Sequence, residues 1–398
     1  MSPSSFALNL ASDLGDRTTP NLLLLCLSPD SEQSANSQIA QQIIALADKQ
    51  TNWSALIELA QTHRVMPLLY HRLSTVCPTK VPDNILAGLR GDCQQIAIRN
   101  LAMTAELHRL LKLMETQGVE TLPYKGPVLT QSLYQRLDLR QFGDLDIIIR
   151  PEDMPSVERL LIDEGYWPYF GKQTAAELSA YMKAKTEHTY DFYHKNKKIF
   201  LEVHWRFWPP FFSSVNPRQI WARRASTTLA GTKISTFLME DYLIVLCMHG
   251  SRHMWERLAW LCDIALLVER FPHLDWQQSL KTAEQWGAKR MLLLGLYLAQ
   301  EWLAADLPAE VVAQISADSA IAQLAAAVKT QMFSSAETPT RFMAATRYQV
   351  KVRERWQDKA VYASSFGYWL LKGRFLKERT ADTAGLSAVN ADTVAESL

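Results

Sequence analysis

The sequence predicts an α+β protein: a mixed β-sheet core carrying helices, flanked by N- and C-terminal helical regions. Three observations predict it. Residues 143–150, Gly-Asp-Leu-Asp-Ile-Ile-Ile-Arg, put a β-branched run directly after two carboxylates, a strand composition. Ile199, Leu201, Val203 and Trp205 alternate with Phe200, Glu202 and His204, which is the period of a strand. On either side of residues 116–212, apolar residues recur instead at helical spacing.

The elements follow in chain order. Residues 1–37 are rich in Ser, Asn and Asp and are expected to be loosely ordered, the apolar run Leu22–Leu27 apart. Residues 38–115 form an N-terminal helical region. Ile39, Ile43, Ile44 and Ala47 mark one helix, and Leu56, Ile57 and Leu59 a second, capped by Asn52 or Ser54. Pro67 suits the first turn of a third. A long segment from Asn84 to Gln117 carries Leu101, Leu107, Leu110, Leu111 and Met114 until Gly118 stops it.

The core spans residues 116–212. It reads as strand 119–124, helix 127–136, strand 144–150, helix 152–164, strand 166–171, helix 174–184 and a hairpin over 188–206 turning at Asn196-Lys197. Glu152 and Asp153 suit the dipole of the helix they begin, and Gly165 ends it. Residues 213–375 are expected to be helical throughout, with helices near 241–248, 255–269, 289–303, 318–333 and 340–375. The last mixes aromatic with basic residues, a pattern read as packing against the body rather than lying on a membrane surface. Residues 376–398 read as a disordered tail.

Composition narrows the function classes. The 42 basic and 41 acidic residues nearly cancel, which argues against a global nucleic-acid surface. No apolar run of 18 residues suggests a transmembrane helix. The five cysteines are Cys26, Cys77, Cys93, Cys247 and Cys262. They are odd in number and widely spaced, so neither a zinc site nor a disulfide framework is expected, and a cytoplasmic location fits.

The chemistry centres on Asp144 and Asp146, which a strand points to one face. Two adjacent carboxylates repel unless a cation sits between them, and hard oxygen donors suit Mg²⁺. The bland alternative is a solvated pair on an edge strand, so the neighbours decide. Upstream, Lys125-Gly126 closes a strand and opens a helix, an arrangement that offers free N–H groups, close backbone approach and positive charge to a phosphate. Downstream, Glu202 is a third carboxylate, on a strand able to lie beside the first pair. Arg140 either holds a phosphate with its planar fork or pairs with the aspartates. His204 shares the face of Glu202, as a supporting residue of a metal site or as a structural histidine. His249 and His253 have the spacing of a metal pair, but no Glu follows the first as in a zinc peptidase. A structural or acceptor-site role is favoured. Asp263, inside an apolar helix, needs a partner such as Arg252 or Arg257.

Taken together, Lys125-Gly126, then Arg140-x-x-Gly-Asp-Leu-Asp-Ile-Ile-Ile, then Leu201-Glu-Val-His-Trp resemble the uncharacterised nucleotidyltransferase family of the polymerase-β-type nucleotidyltransferase superfamily. The resemblance covers roughly residues 50–270. The superfamily's usual Gly-Ser signature is absent, and Lys125-Gly126 takes its place. The resemblance implies a nucleotidyltransferase-like core and transfer of a nucleotidyl group from a nucleoside triphosphate, with ATP binding expected, to an acceptor hydroxyl. Pyrophosphate would be released. Asp144, Asp146 and Glu202 are then the catalytic carboxylates and the ligands of Mg²⁺ or Mn²⁺, and Lys125, Gly126 and Arg140 hold the nucleotide. The acceptor stays open among a small molecule, a peptide and a protein, and the balanced charge argues against a nucleic acid. Two other readings compete: a metal-dependent glycosyltransferase using Asp-x-Asp, and a non-catalytic nucleotide-binding scaffold. The third carboxylate and the Lys-Gly turn favour the first.

Overall fold

The computed structural model describes residues 18–29, 38–48, 51–332 and 340–364, apart from residues 170, 185, 210, 211, 214 and 216. Its centre is a five-stranded sheet. The strands are β1 (Thr121–Tyr124), β2 (Asp144–Ile149), β3 (Trp167–Pro168), β4 (Thr189–His194) and β5 (Ile199–His204). Their spatial order is β1-β2-β5-β4-β3. β2 and β5 run parallel, and every other neighbouring pair is antiparallel. This is the mixed sheet of the expected α+β core. β2 is interior to the sheet and covered on both faces. That is why Leu145, Ile147, Ile148 and Ile149 are all fully buried and its sequence reads as a continuous apolar run.

Strand alternation divides these residues between two layers. Leu145, Ile147, Ile149, Leu201, Val203, Tyr190 and Phe192 meet Met103, Leu107, Leu110 and Met114 of the long helix Asp83–Thr116. Val157 and Leu161 of helix Met154–Asp163 close the same layer. Leu122, Tyr124 and Ile148 join the larger core instead, with the apolar residues of helices Met239–Arg252, Leu258–Arg270 and Lys289–Leu303. Both outer strands are short and each contains a proline, Pro123 in β1 and Pro168 in β3.

Several expectations are corrected. Within the stretch 1–37, expected to be loosely ordered, Thr18–Leu27 is a helix with eight buried residues, and Leu22 and Leu23 are fully enclosed. A helix apolar on every side has no solvent face and must sit inside. Residues 213–375, expected to be wholly helical, contain a hairpin of β6 (Ala225–Leu229) and β7 (Thr232–Thr236). Its turn residues Ala230 and Gly231 have φ of 48° and 78°, the backbone that two-residue hairpins demand. The alternation was hidden because threonine and serine, not large apolar residues, fill six of its ten positions. The Thr236 hydroxyl donates to the Pro123 carbonyl (3.3 Å), which sets this hairpin beside β1.

Three boundaries also move. The helix expected over 127–136 is a single α-turn, Gly126–Leu129, followed by a π-turn, Thr130–Tyr134, and ends at Gln135 with φ 56°. The strand expected over 166–171 shrinks to Trp167–Pro168, because proline brings no N–H to a ladder. The helix expected over 340–375 is interrupted at residues 353–355, and its part beyond 364 lies outside the described residues. The tail over 376–398 lies outside them too. All five cysteines are buried and unbridged. No single helix among the described residues is long and apolar enough to cross a membrane.

Candidate active site

The site begins where β1 ends. Lys125 follows the strand with φ 53° and ψ −155°, and Gly126 has φ 39°. Lys125 thus occupies backbone space that glycine enters cheaply and other residues do not. Its N–H donates to the Tyr242 hydroxyl (2.6 Å), so helix Met239–Arg252 holds the turn. A Cβ on Gly126 would stand 3.3 Å from the Asp144 carbonyl oxygen. The turn is therefore pressed against the start of β2, and Lys125 Nζ reaches Asp146 Oδ1 at 3.1 Å. The helix expected to offer its N-terminus to a phosphate is a single α-turn.

Strand register aligns the acids. Asp146 pairs with Glu202 across β2 and β5, and Asp191 pairs with Glu202 across β4 and β5. Paired residues share a face. Asp146, Glu202 and Asp191 therefore form a row over three strands, with Asp144 two residues along β2. His204 Nε2 lies 3.3 Å from Asp146 Oδ1 and 3.2 Å from Glu202 Oε2. The Tyr124 hydroxyl is 3.2 Å from the same nitrogen. Asp146 and His204 are buried, while the Glu202 side chain is 34% exposed. One ligand atom each from Asp146, Glu202 and His204 lie within 4.8 Å of one another. Asp144 shares the face but stands outside that group. His204, which the sequence left between two roles, stands between the two acids.

The electrostatics follow from this crowding. Burial, then the charges of Asp146 and Glu202, push the Asp144 carboxyl up. Burial and the Glu202 charge push Asp191 up to about 6. Burial also opposes the Glu202 carboxylate, but the hydrogen bond and charge of His204 outweigh it and hold the group low. Burial opposes the His204 imidazolium, yet hydrogen bonds to Asp146 and Glu202 raise its value. Lys125 is likewise raised against its burial by Asp146, Glu202 and Asp144. Two cations are thus drawn tightly onto a crowded set of carboxylates, which sets these acids apart from those of a solvated face.

Arg140 is engaged elsewhere. Its Nε and Nη2 donate to the two carboxylate oxygens of Asp263 at 2.8 and 2.9 Å, and the Tyr134 hydroxyl donates to the same group at 2.9 Å. Asp263 is fully buried, and a buried carboxylate needs such partners. This corrects two expectations. The partner of Asp263 is Arg140, not Arg252 or Arg257, and the Arg140 fork grips a helix rather than the aspartates of β2. The Asn100 amide donates to the Leu137 and Arg140 carbonyls (2.6 and 2.8 Å), which fastens the loop leading into β2.

His249 and His253 form an aromatic nest. Their ring centroids are 4.8 Å apart, and Trp260 lies 4.9 and 5.5 Å from them. Burial pushes His249 down and His253 to about 4, and likewise takes His63 to about 4 and His188 to about 2. The fold holds all four neutral, whereas the unfolded chain binds their protons below about pH 6.5. Their contribution is present above that value and is lost as pH falls below it. Asp144 and Asp191, with raised values, offset part of the loss. The urea midpoint is expected to drop between pH 6.5 and 5, each histidine contributing up to roughly 1 kcal/mol per pH unit. A midpoint that stays flat across this window would contradict the placement of these four side chains.

Sequence reasoning missed Asp191 and an aromatic ledge, and looked for Arg252 beside Asp263 instead of near Glu202. Arg252, at the end of helix Met239–Arg252, is 3.1 Å from His188 Nε2 and feels the Glu202 charge. The ledge adjoins the acids: Phe200 pairs with Asp144, with Tyr193 and Tyr169 rings 4.8 and 5.5 Å from it. Trp167 (62% exposed) and Tyr169 (44%) leave it open to solvent.

An α+β core that sets carboxylates on two adjacent strands beside a cationic turn has the form of a nucleotidyl-transferring enzyme. The chain belongs to the uncharacterised nucleotidyltransferase family, whose model it matches over residues 49–304. No curated protein matches it. Family membership favours nucleotidyl transfer over the glycosyl-transfer reading.

Proposed function

We propose that this protein transfers a nucleotidyl group from a nucleoside triphosphate to an acceptor hydroxyl with release of pyrophosphate. The observation that carries the reading is the pairing of Asp146 with Glu202 on adjacent parallel strands, with Lys125 against Asp146. The acceptor oxygen forms a bond to the α-phosphorus as the bond to the pyrophosphate oxygen breaks. Lys125 and Gly126 border the phosphates, and Lys125 offsets the charge of Asp146 until they arrive.

The residues fit a divalent cation. Asp146 Oδ2 is buried without a hydrogen-bond partner, and its neighbours supply carboxylate oxygen and imidazole nitrogen. Asp146, Glu202 and, once it has released its proton, His204 would hold Mg²⁺ or Mn²⁺, with Asp144 beside them. Such an ion supplies Lewis-acid stabilisation of the phosphoryl oxygens when bound. Glu202, held low by His204, suits ligation better than proton transfer. The adjacent Asp191, pushed up to about 6, suits acceptance of the hydroxyl proton near neutral pH.

The test is incubation with the four triphosphates and Mg²⁺ or Mn²⁺, reading pyrophosphate release, cation-dependent melting and mass gain on candidate acceptors. Melting should rise with the cation, and rise more at pH 7.5 than at pH 5.5, because protons compete for the His204 nitrogen and for the neighbouring Asp144 at the lower pH. A cation shift that is absent, or independent of pH, together with no pyrophosphate release, would overturn the proposal.

A further inference from the structure

Beside the acids lies a second group of charges that the reaction scheme above leaves unused. Arg64 follows helix Trp53–Thr62, and its Nη1 is 3.7 Å from the point where Gly143 would carry a Cβ. Arg99 Nη2 points at the Gly143 carbonyl from helix Asp83–Thr116, at 3.5 Å. The loop holding Arg257 is tied to that of Arg64, because the Ala259 N–H donates to the His63 carbonyl at 3.3 Å. Arg140 has a third nitrogen, Nη1, that is buried and unbonded beyond its grip on Asp263. Among the described residues, Arg64, Arg99 and Arg257 form no ion pair with a carboxylate. Four guanidinium groups thus gather where β2 begins. Asp263 neutralises one of them, and Asp144 is the carboxylate Arg64 feels.

The backbone argues that these charges are placed, not incidental. Arg64 has φ 56° at a helix end where Arg64 N–H bonds Gln61 and Val65 N–H bonds Ala60. Glycine usually fills that position because it is unstrained there. Arginine stands in it instead. Met254 and Trp255, just before Arg257, also have positive φ, 50° and 58°. Strain of this kind persists where surrounding structure over-determines it, typically at ligand clamps. Burial and the charges of Arg257, Arg140 and Arg99 all disfavour the Arg64 cation, so the cluster is short of negative charge.

We infer that Arg64 and Arg257, supported by Arg99 and the free edge of Arg140, bind the pyrophosphoryl end of the substrate and the pyrophosphate it becomes. The inference rests on the proposed nucleotidyl transfer and locates its leaving group. A diphosphate offers several anionic oxygens to planar forks converging from separate elements, the pairing that guanidinium groups make best. The cluster lies along β2 from Asp146, so a triphosphate whose α-phosphate sits at the acids extends toward Gly143.

The test uses inorganic pyrophosphate as the probe, titrated into the full chain by calorimetry, with and without Mg²⁺. Arg64→Gln and Arg257→Gln are each expected to weaken binding roughly tenfold or more. Arg99→Gln, on an exposed helix face, should weaken it less while leaving the fold untouched. Arg159→Gln, a distant exposed control, should change nothing. If Arg64→Gln fails to fold, Arg64→Lys keeps the charge without the fork and should bind with intermediate strength. Wild-type affinity in the folded Arg64→Gln/Arg257→Gln variant, or in Arg257→Gln and Arg64→Lys alike, would overturn the inference. That failure is separable from failure of the proposed function, since Asp146→Asn reports turnover independently of pyrophosphate affinity.

Discussion

Asp146→Asn is expected to abolish triphosphate turnover, by roughly 10³-fold or more, while the fold survives. The side chain is buried between Lys125 and His204 and pairs with Glu202 across the sheet. Asparagine keeps an acceptor for both donors but removes the charge that a divalent cation requires. It also relieves repulsion on Asp144, whose carboxyl is pushed up partly by Asp146. That relief offsets only part of the charge lost opposite Lys125 and His204, which keep Glu202 and Asp144 as neighbours, so the melting temperature without cation should fall modestly, and the cation-induced increase should vanish. Unfolding of the variant, or unchanged pyrophosphate release, would sink the assignment of Asp146.

The second large effect concerns stability. Asp263→Ala leaves Arg140, whose side chain is 10% exposed, without its carboxylate, and removes the partner of the Tyr134 hydroxyl. Breaking one side of a buried pair typically destabilises by about 3–5 kcal/mol, because the remaining charge stays desolvated. Urea denaturation is expected to show a loss of that size. The double change Arg140→Met/Asp263→Leu should lose markedly less, since no orphan charge remains. A single variant within about 1 kcal/mol of wild type would mean that the pair is solvated in solution.

The carboxylates were legible because strand periodicity is strict. The β-branched run fixes the face of Asp144 and Asp146, and alternation from Ile199 to Trp205 fixes that of Glu202. Asp191 was legible in principle: reflection of the hairpin about Asn196-Lys197 sets it opposite Glu202. The Arg140–Asp263 pair was not, because it joins residues 123 apart through tertiary packing that local patterns do not encode. The position of His204 between two acids likewise depends on β2 and β5 lying side by side. The lone α-turn after Gly126 defeated helical periodicity, since a π-turn breaks the phase while keeping the apolar residues buried. The arginines beside Gly143 come from four separate segments and carry no common motif.

The outer strands bear on what an acceptor can look like. An extended peptide often docks by adding itself as one more strand, which needs a free row of backbone donors and acceptors. β1 and β3 span four and two residues, and the prolines at 123 and 168 each delete a donor. β1 is further flanked by the β6–β7 hairpin. Such rims resist sideways growth and chain-to-chain association. Zipping onto a margin of the sheet is therefore closed to a polypeptide acceptor, which would have to meet the protein through side-chain contacts on a face instead.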